Sequence, residues 1–391
     1  MRGKGRNPEI QLLYSLTRTS QTYKILIFYL LLILLSVFWP FFHGTNDFNL
    51  LKAYLLVLFS ICSSIIIFPL VQNKLFKNQN FYVDLNRILL NVFIIQTIIQ
   101  IMAFISPQFF EIINFFKKES LSMRDYQGIR SLALTGNPFF SLSSAYGLMF
   151  ISYFYLFFKK EIKFPIVIFC LLFVGSFFAG RTAFVGLFFG IILYIYLLFN
   201  NLTQFLLGVG RLLLYTVSIF FVCYFFYLYL VPVSLKSIVD EKLLPFAFEF
   251  IYSYQETGKF TTKSTDVLNQ MYFSISSDTL LFGDGKYLNS DGSYYMHTDA
   301  GYMRNFLFYG ILGFCFIVYA QISIIKKSLF DRTSSIAEKK FLLIVLVFYF
   351  VLHYKGEVLM LLPILQCFFT LYSFGCYFYS KDHHNRINSL N

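Results

Sequence analysis

Residues 176–190 read SFFAGRTAFVGLFFG and place one arginine, Arg181, among small and apolar residues. They belong to an apolar run over 164–199, which is 36 residues long. A helix needs about 20 residues to cross a hydrocarbon core about 30 Å thick, so this run is too long for one membrane span and long enough for two. We therefore predict two helices joined by a tight turn at Gly180 and Arg181. A turn at the membrane face also explains how the cation is tolerated, since a charge inside hydrocarbon is costly.

The composition of the whole chain is that of a membrane protein. Of its 391 residues, 57% are hydrophobic and 13% are charged, whereas a soluble domain carries about 25% charged residues. The net charge of +12 would suggest nucleic acid in a soluble protein, but in this chain we expect no nucleic-acid partner. The six cysteines form no Cys-x-x-Cys pair, so we expect neither a disulfide framework nor a metal site.

We predict an all-α polytopic integral membrane protein with about ten transmembrane helices. The spans lie near 25–42, 51–71, 88–106, 138–158, 164–180, 182–199, 212–231, 301–325, 341–354 and 358–379. Two long segments remain outside the membrane, at 107–137 and 232–300. The second has 69 residues and turn-rich sequence, which indicates a small cap. Its GDG at 283–285 is predicted to be a turn, because it is too short to cradle a nucleotide.

The distribution of basic residues orients the spans. With the N-terminus inside, 19 of the 32 Lys and Arg residues fall in cytoplasmic segments, with only six of the 20 acidic residues. Short cytoplasmic loops are rich in Lys and Arg, so this orientation is the favoured one. Both termini are then predicted to be cytoplasmic, while Arg181 and both long segments lie outside.

Unusual polar residues collect on the predicted outer face. They are Arg124, Arg130, Arg181, His297, Asp299, Arg304, Lys355 and Glu357. Arginines near a membrane surface suit a phosphate ligand, because guanidinium binds phosphate through two parallel hydrogen bonds. We expect this group to hold a lipid-linked pyrophosphate and to stabilise the charge that grows as the pyrophosphate leaves. His297 or Asp299 would serve as the base for an attacking hydroxyl.

Several of these residues also have a simpler interpretation. Arg181 is alternatively an anchor whose side chain reaches the membrane surface, and Arg130 an ordinary solvated loop residue. His297 alternatively caps or solvates its loop, and Lys355 and Glu357 pair with one another. The sequence contains no P-loop, His-Glu-x-x-His, Asp-x-Asp or Gly-x-Ser-x-Gly motif, which argues against cytosolic ATP chemistry and metalloprotease chemistry.

Three stretches resemble motifs of the bacterial O-antigen polymerase and O-antigen ligase superfamily, and more closely those of its polymerase branch. GSFFAGRTAFVGL at 175–187 is similar to the family's small-residue, arginine, small-apolar motif. LFGDGKY at 281–287 resembles its Leu/Phe-Gly-x-Gly turn in the large periplasmic loop. HTDAGYMRNFLFYGILGF at 297–314 resembles its histidine followed by a span with paired glycines. The order, spacing and number of spans agree across most of the chain.

The resemblance implies a membrane-glycosyltransferase architecture of the GT-C type with a periplasmic loop cap, in the bacterial inner membrane. It implies a metal-independent and cofactor-free polymerase, which moves a growing glycan from undecaprenyl pyrophosphate onto the next lipid-linked repeat unit at the periplasmic face. A chain-length regulator is an implied partner. Arg181 matches the family's motif arginine and His297 its loop histidine, while Arg130 and Arg304 compete for a second motif arginine. His-Thr-Asp stands where the ligases more often show His-Asn, which leaves the base open between His297 and Asp299.

Two other functions remain as alternatives. An O-antigen ligase uses the same donor but transfers the glycan to lipid A core. A flippase for the lipid-linked unit belongs to a different class, and it would require charged or broken helices at mid-membrane.

Overall fold

The structure is a computed structural model. It describes residues 16–17, 19–75, 80–115, 140–199, 202–229, 236–237, 240–241, 244–330 and 334–375. These residues form helices and turns, without a strand, and one isolated β-bridge pairs Leu288 with Tyr294. The prediction of an all-α protein is confirmed for this part of the chain.

The long helices overlap segments predicted as spans, and short helices lie within the 232–300 segment. In chain order they are α1 (Ser20–Phe42), α2 (Asn49–Leu75), α3 (Phe81–Ile105), α4 (Pro107–Phe115), α5 (Phe140–Phe158), α6 (Pro165–Ala179), α7 (Ala183–Leu198), α8 (Leu202–Tyr229), α9 (Leu244–Ala247), α10 (Glu249–Thr257), α11 (Lys263–Gln270), α12 (Ser277–Phe282), α13 (Gly301–Phe330) and α14 (Ile336–Lys355). Residues 363–375 are also helical.

Five of the described helices are long and apolar enough to cross a membrane, judged by length and composition. They are α1, the Asn49–Pro69 part of α2, α3, α5 and α13. The chain therefore has the character of a polytopic membrane protein. Helices α6 and α7 are apolar but have only 15 and 16 residues, which corresponds to about 22–24 Å. The count of ten spans and the GT-C architecture stay predictions.

The chain divides into two compact units. Residues Met1–Leu85 and Leu268–Asn391 form one, which we call the terminal unit, and Asn86–Val267 form the other, the central unit. The boundaries fall within helices α3 and α11, so neither is marked by a linker. Of the residues proposed as functional, Arg181 belongs to the central unit, and the group from His297 to Glu357 belongs to the terminal unit.

Close packing of α5 against α7 organises the central unit. A Cβ atom added to Gly186 would lie 2.2 Å from the Cα atom of Gly147, so the two backbones touch where neither residue has a side chain. One turn further on, a Cβ at Gly190 would lie 2.5 Å from the ring of Phe154. Small residues four apart let membrane helices approach in this way. The α7 helix is thereby held on α5 along its buried face, and its first residues hold the arginine turn.

Helix α13 of the terminal unit is broken at Gly310, whose φ of 66° and ψ of −171° are not helical. A break leaves backbone carbonyls without partners, which is costly in an apolar environment. Here the N–H groups of Asp284 and Gly285 donate to the carbonyls of Leu307 and Phe308, at 2.6 and 3.2 Å. Residues 281–288, which we call the cap turn, thus complete the first half of α13. The turn predicted at 283–285 is present, with positive φ at Gly283 and Gly285.

The cap turn is also held by the end of α1 and by the segment that joins α1 to α2. The indole Nε1 of Trp39 donates to the carbonyl of Phe282 at 2.6 Å. The carboxylate Oδ2 of Asp47 accepts the backbone N–H groups of Tyr287 and Leu288, each at 2.7 Å. The cap turn is therefore fixed from two sides before any ligand binds.

Candidate functional site

A tight turn between α6 and α7 carries Arg181, as predicted. Helix α6 ends at Ala179 and α7 begins at Ala183. Gly180 makes the reversal with φ of 140°, a conformation that suits glycine because it lacks a Cβ atom. The hydroxyl of Ser143 on α5 donates to the carbonyl of Gly180 at 2.7 Å. Because both helices and α5 hold the turn, the arginine has a defined position.

The Arg181 guanidinium binds an anion within the protein. Its Nη1 forms an ion pair with the carboxylate of Glu249, the first residue of α10. Its Nη2 lies 3.2 Å from the hydroxyl of Ser264. The other oxygen of Glu249 accepts the backbone N–H of Lys263, at the start of α11, at 2.9 Å. The Arg181 side chain is 22% exposed, so solvent reaches a charge that also contacts Glu249 and Ser264.

The groups around Glu249 are those that bind phosphate in proteins. They include the guanidinium of Arg181 and a backbone N–H at the amino end of a helix, where the helix dipole also favours an anion, while the hydroxyl of Ser264 lies beside the guanidinium. A carboxylate satisfies them in this structure. A phosphoryl group offers the same oxygens with more charge, so the arrangement has the chemistry to accept one in exchange.

In the terminal unit, Arg304 on α13 is buried inside a cluster of aromatic and acidic side chains. Its guanidinium carbon lies 3.9 Å from the ring centroids of both Tyr287 and Tyr294. Its Nε lies 3.2 Å from Oε2 of Glu357, and the hydroxyl of Tyr287 donates to the same oxygen at 2.6 Å. Only 6% of the arginine side chain is exposed. Cation–π contacts with two tyrosines and a buried ion pair tie the cap turn to the start of α13.

Glu357 therefore pairs with Arg304, a partner that the sequence did not indicate. The simpler interpretation paired it with Lys355, two residues away. The Arg304 guanidinium is in contact with Tyr287, Tyr294 and Glu357, which gives it a structural role in this state. Arg124 and Arg130 lie outside the described residues, so the choice of a second motif arginine between Arg130 and Arg304 stays open.

The two candidates for the base lie just before α13, on exposed side chains. His297 ends a short 3₁₀ turn, Tyr295–His297, in which both Met296 and His297 have left-handed φ values of 53° and 54°. Such a conformation is strained for residues with a Cβ atom, and strain of this kind occurs at functional sites. The side chain of Asp299 reaches solvent, yet the surrounding protein desolvates its carboxyl group and raises its pKa above the ordinary value, with opposition from the positive charges of Arg304 and Lys355. A raised carboxyl pKa suits a general base.

A buried histidine that the site prediction did not include connects α14 with α13. His353 Nδ1 accepts the backbone N–H of Val358 at 3.0 Å, and Nε2 lies 2.7 Å from the side-chain amide of Asn305. Because Nδ1 is the acceptor, Nε2 carries the proton of the neutral imidazole, and the side-chain amide of Asn305 also donates to the carbonyl of Gly301 at 3.0 Å. Asn305 follows Arg304 directly. A polar residue next to a charged one at the start of a span was the sequence signal that could have indicated this contact.

Other residues that sequence reasoning missed are Glu249 and Ser264, which contact Arg181, and Tyr287 and Tyr294, which enclose Arg304. Glu249 is one of nine acidic residues in the 232–300 segment, and nothing in its immediate sequence distinguishes it from the others. Among the described residues, no three His, Cys, Asp or Glu side chains are grouped so that they could hold a metal ion.

Comparison of the chain with models of protein families, with curated proteins and with solved structures yields no match.

Proposed function

We propose that this chain is a membrane glycosyltransferase that polymerises undecaprenyl-pyrophosphate-linked oligosaccharide repeat units at the periplasmic face. The growing glycan is transferred from its lipid carrier onto the incoming lipid-linked unit, as in the synthesis of O-antigen or a related surface polysaccharide. The observation that carries the proposal is the Arg181 turn. One guanidinium at the junction of two apolar helices holds an anion together with the amino end of a helix, and the same guanidinium also donates to a serine hydroxyl.

In the proposed reaction, a hydroxyl of the incoming unit attacks the anomeric carbon of the donor sugar. The bond from that carbon to the pyrophosphate oxygen breaks, and its electron pair leaves with undecaprenyl pyrophosphate. Arg181 stabilises the charge that develops on the departing group. The hydroxyl proton passes to Asp299, or to His297 as the alternative base. The raised pKa of Asp299 favours the carboxylate for this role.

The decisive experiment uses the purified full chain in lipid nanodiscs with one lipid-linked repeat unit, without added nucleotide or metal. We expect longer lipid-linked products, and none from Arg181→Ala. If the wild-type chain is folded and only the single repeat unit is recovered, the proposed reaction is wrong. Deletion in cells separates a polymerase from an O-antigen ligase: loss of a polymerase leaves single repeat units on the lipid A core, whereas loss of a ligase leaves none.

One observation favours the flippase alternative. The break in α13 at Gly310 is a discontinuous helix of the kind found in transporters. The assay is the movement of a fluorescent lipid-linked saccharide between the leaflets of vesicles that contain the purified chain. Movement without lengthening would support the flippase, and lengthening without movement would support the polymerase.

A further inference from the structure

The terminal unit contains a cavity beside the cap turn that has no part in the site described above. Its volume is about 300 Å³, which is at the small end of ligand pockets and suits one ring-sized group better than a lipid chain. The lining is formed mainly by the end of α1, by α12 and by the residues that follow it: Phe42, His43, Asp278, Thr279, Phe282 and Asp284.

The walls of this cavity are held in place by contacts on their outer sides. Trp39 donates to the carbonyl of Phe282, and the N–H of Asp284 donates to the carbonyl of Leu307 in broken α13. Gly283 lies between these two residues, and a Cβ atom there would be 2.4 Å from the carbonyl oxygen of Phe308. The cavity is therefore present without a ligand, which lowers the cost of binding one.

The chemistry of the lining selects the ligand. The Asp284 carboxylate accepts the hydroxyls of Thr279 at 2.8 Å and of Tyr295 at 3.2 Å. A carboxylate has about four acceptor positions, so this one can take further donors. Asp278 supplies a second carboxylate, and among the described residues that line the cavity none is Lys or Arg. An anion would be repelled here, whereas a group that brings hydroxyl donors would be bound.

The apolar part of the lining supplies the other half of the recognition. Phe42 and Phe282 line the cavity, and their rings are 67% and 51% exposed. A pyranose ring has hydroxyl donors around its edge and C–H groups on its faces. It can therefore hydrogen-bond to carboxylates and pack on a phenyl ring at the same time.

We propose that this cavity is a binding site for one uncharged sugar ring of the saccharide. The choice of a sugar among hydroxyl-rich ligands rests on the proposed function. Arg181 is not among the residues that line the cavity, and the site selects against acidic sugars because its own charged groups are carboxylates.

The experiment is a titration of the purified full chain in nanodiscs with free glucose, galactose, mannose and glucuronate, followed by saturation-transfer NMR. We expect at least one neutral sugar to bind, and glucuronate to bind about tenfold more weakly or not at all. Asp278→Asn should weaken the neutral sugar by about tenfold, since a hydrogen bond to a charged group is lost. Asp291→Asn is the matched control, because that carboxylate lies in the same cap but contacts Ser293.

The proposal is overturned if no neutral sugar binds, if glucuronate binds as well as glucose, or if Asp278→Asn binds like the wild type. Phe42→Ala is the second variant, should Asp278→Asn lower the melting temperature; it removes one ring from the wall and should weaken sugar binding as well. Arg181→Ala distinguishes this proposal from the proposed function. That variant should lose polymerisation and keep sugar binding, so either result can fail without the other.

Discussion

The Glu249 carboxylate occupies the position beside Arg181 Nη1 that a bound anion would take. One of its oxygens forms the ion pair with the guanidinium, and the other accepts the backbone N–H of Lys263. A ligand must displace it, and a diphosphate has more charge and more oxygens with which to do so. Glu249 therefore competes with any anion that binds at this position and lowers the affinity of Arg181 for it.

The first prediction is that Glu249→Gln strengthens the binding of inorganic pyrophosphate, by about tenfold, because a neutral amide competes less well for the guanidinium. Arg181→Ala should abolish this binding, and Arg181→Lys should weaken it, since an ammonium group cannot make two parallel hydrogen bonds. Isothermal titration of the purified chain measures all three. Glu256→Gln on the exposed end of α10 is the control and should match the wild type. Unchanged affinity in Glu249→Gln would show that the carboxylate does not compete.

The second prediction concerns Asp299 and pH. A base acts when deprotonated, so activity should fall as the pH drops through the raised pKa of Asp299, at a higher pH than for an ordinary aspartate. Asp299→Asn should lower the turnover rate by about 100-fold or more and remove this acidic limb of the pH–rate profile. If the acidic limb persists in Asp299→Asn and disappears in His297→Gln, the histidine is the base.

At the scale of single elements, the contact between α5 and α7 depends on two glycines. We predict that Gly186→Val separates the helices, because the new side chain would overlap the backbone of Gly147. The expected loss is about 3 kcal/mol of stability or more, measured as a lower melting temperature in detergent. Gly210→Val is the control: it adds the same side chain to α8 at a position with nothing within 4 Å. Equal melting temperatures for the two variants would contradict this account of the packing.

The segment between α1 and α2 holds the cap turn through the carboxylate of Asp47. Burial alone would raise the pKa of Asp47, but N–H groups of Leu288, Tyr287 and Asn49 hold it below its ordinary value. Its contribution to stability is therefore complete above the pKa of an unfolded aspartate and is lost as the pH falls through the lowered folded value.

The fourth prediction follows from this pH dependence of the Asp47 contribution. Asp47→Ala should destabilise the protein by about 2 kcal/mol at pH 7, since two N–H groups of the cap turn lose a charged acceptor. The difference from the wild type should shrink below about pH 4, near the pKa of a free aspartate. Thermal unfolding between pH 3 and 7 measures this difference. A gap between wild type and variant that stays constant across that range would mean that the carboxylate charge is not responsible.

The elements themselves were largely predictable, whereas their partners were not. The length of the 164–199 run required two helices and placed Arg181 at their turn, because the dimensions of a bilayer act on every residue in the run. Glu249 lies 68 residues further along the chain, and the periodicity of a sequence carries no information about such a pairing. The break at Gly310 was missed for a related reason. Glycine is tolerated inside membrane helices, and only the distant cap turn reveals that the helix is interrupted.

At the scale of the whole molecule, orientation is the prediction on which the outer-face site depends. Helix α13 separates Ser290 in the cap from Ile336 at the start of α14, and it is long and apolar enough to cross a membrane. The charge distribution puts the first outside and the second in the cytoplasm.

We therefore expect a membrane-impermeant maleimide to label Ser290→Cys in intact cells, in a chain whose native cysteines are replaced. Ile336→Cys should react only after the cells are permeabilised. Both positions are exposed, so access is not limited by burial. The reverse pattern would place the cap in the cytoplasm and remove the basis for a periplasmic reaction.

Helix lengths limit what the sequence could predict about the whole molecule. Hydropathy marks α6 and α7 as apolar, but at 15 and 16 residues each is shorter than the hydrocarbon thickness. Whether such a pair crosses the bilayer depends on the neighbouring helices and on the local lipid, and the sequence of the apolar run contains no information about either. The division into two units could not be predicted from the sequence either, because both boundaries fall inside helices.

Trp39 is the single tryptophan of the chain, and its indole N–H donates to the carbonyl of Phe282. Indole emission shifts with the polarity and hydrogen bonding of its surroundings. The protein thus carries an intrinsic fluorophore at the point where the first long helix meets the sugar-sized cavity. Lifting the cap, or filling that cavity, should change the emission without any attached dye.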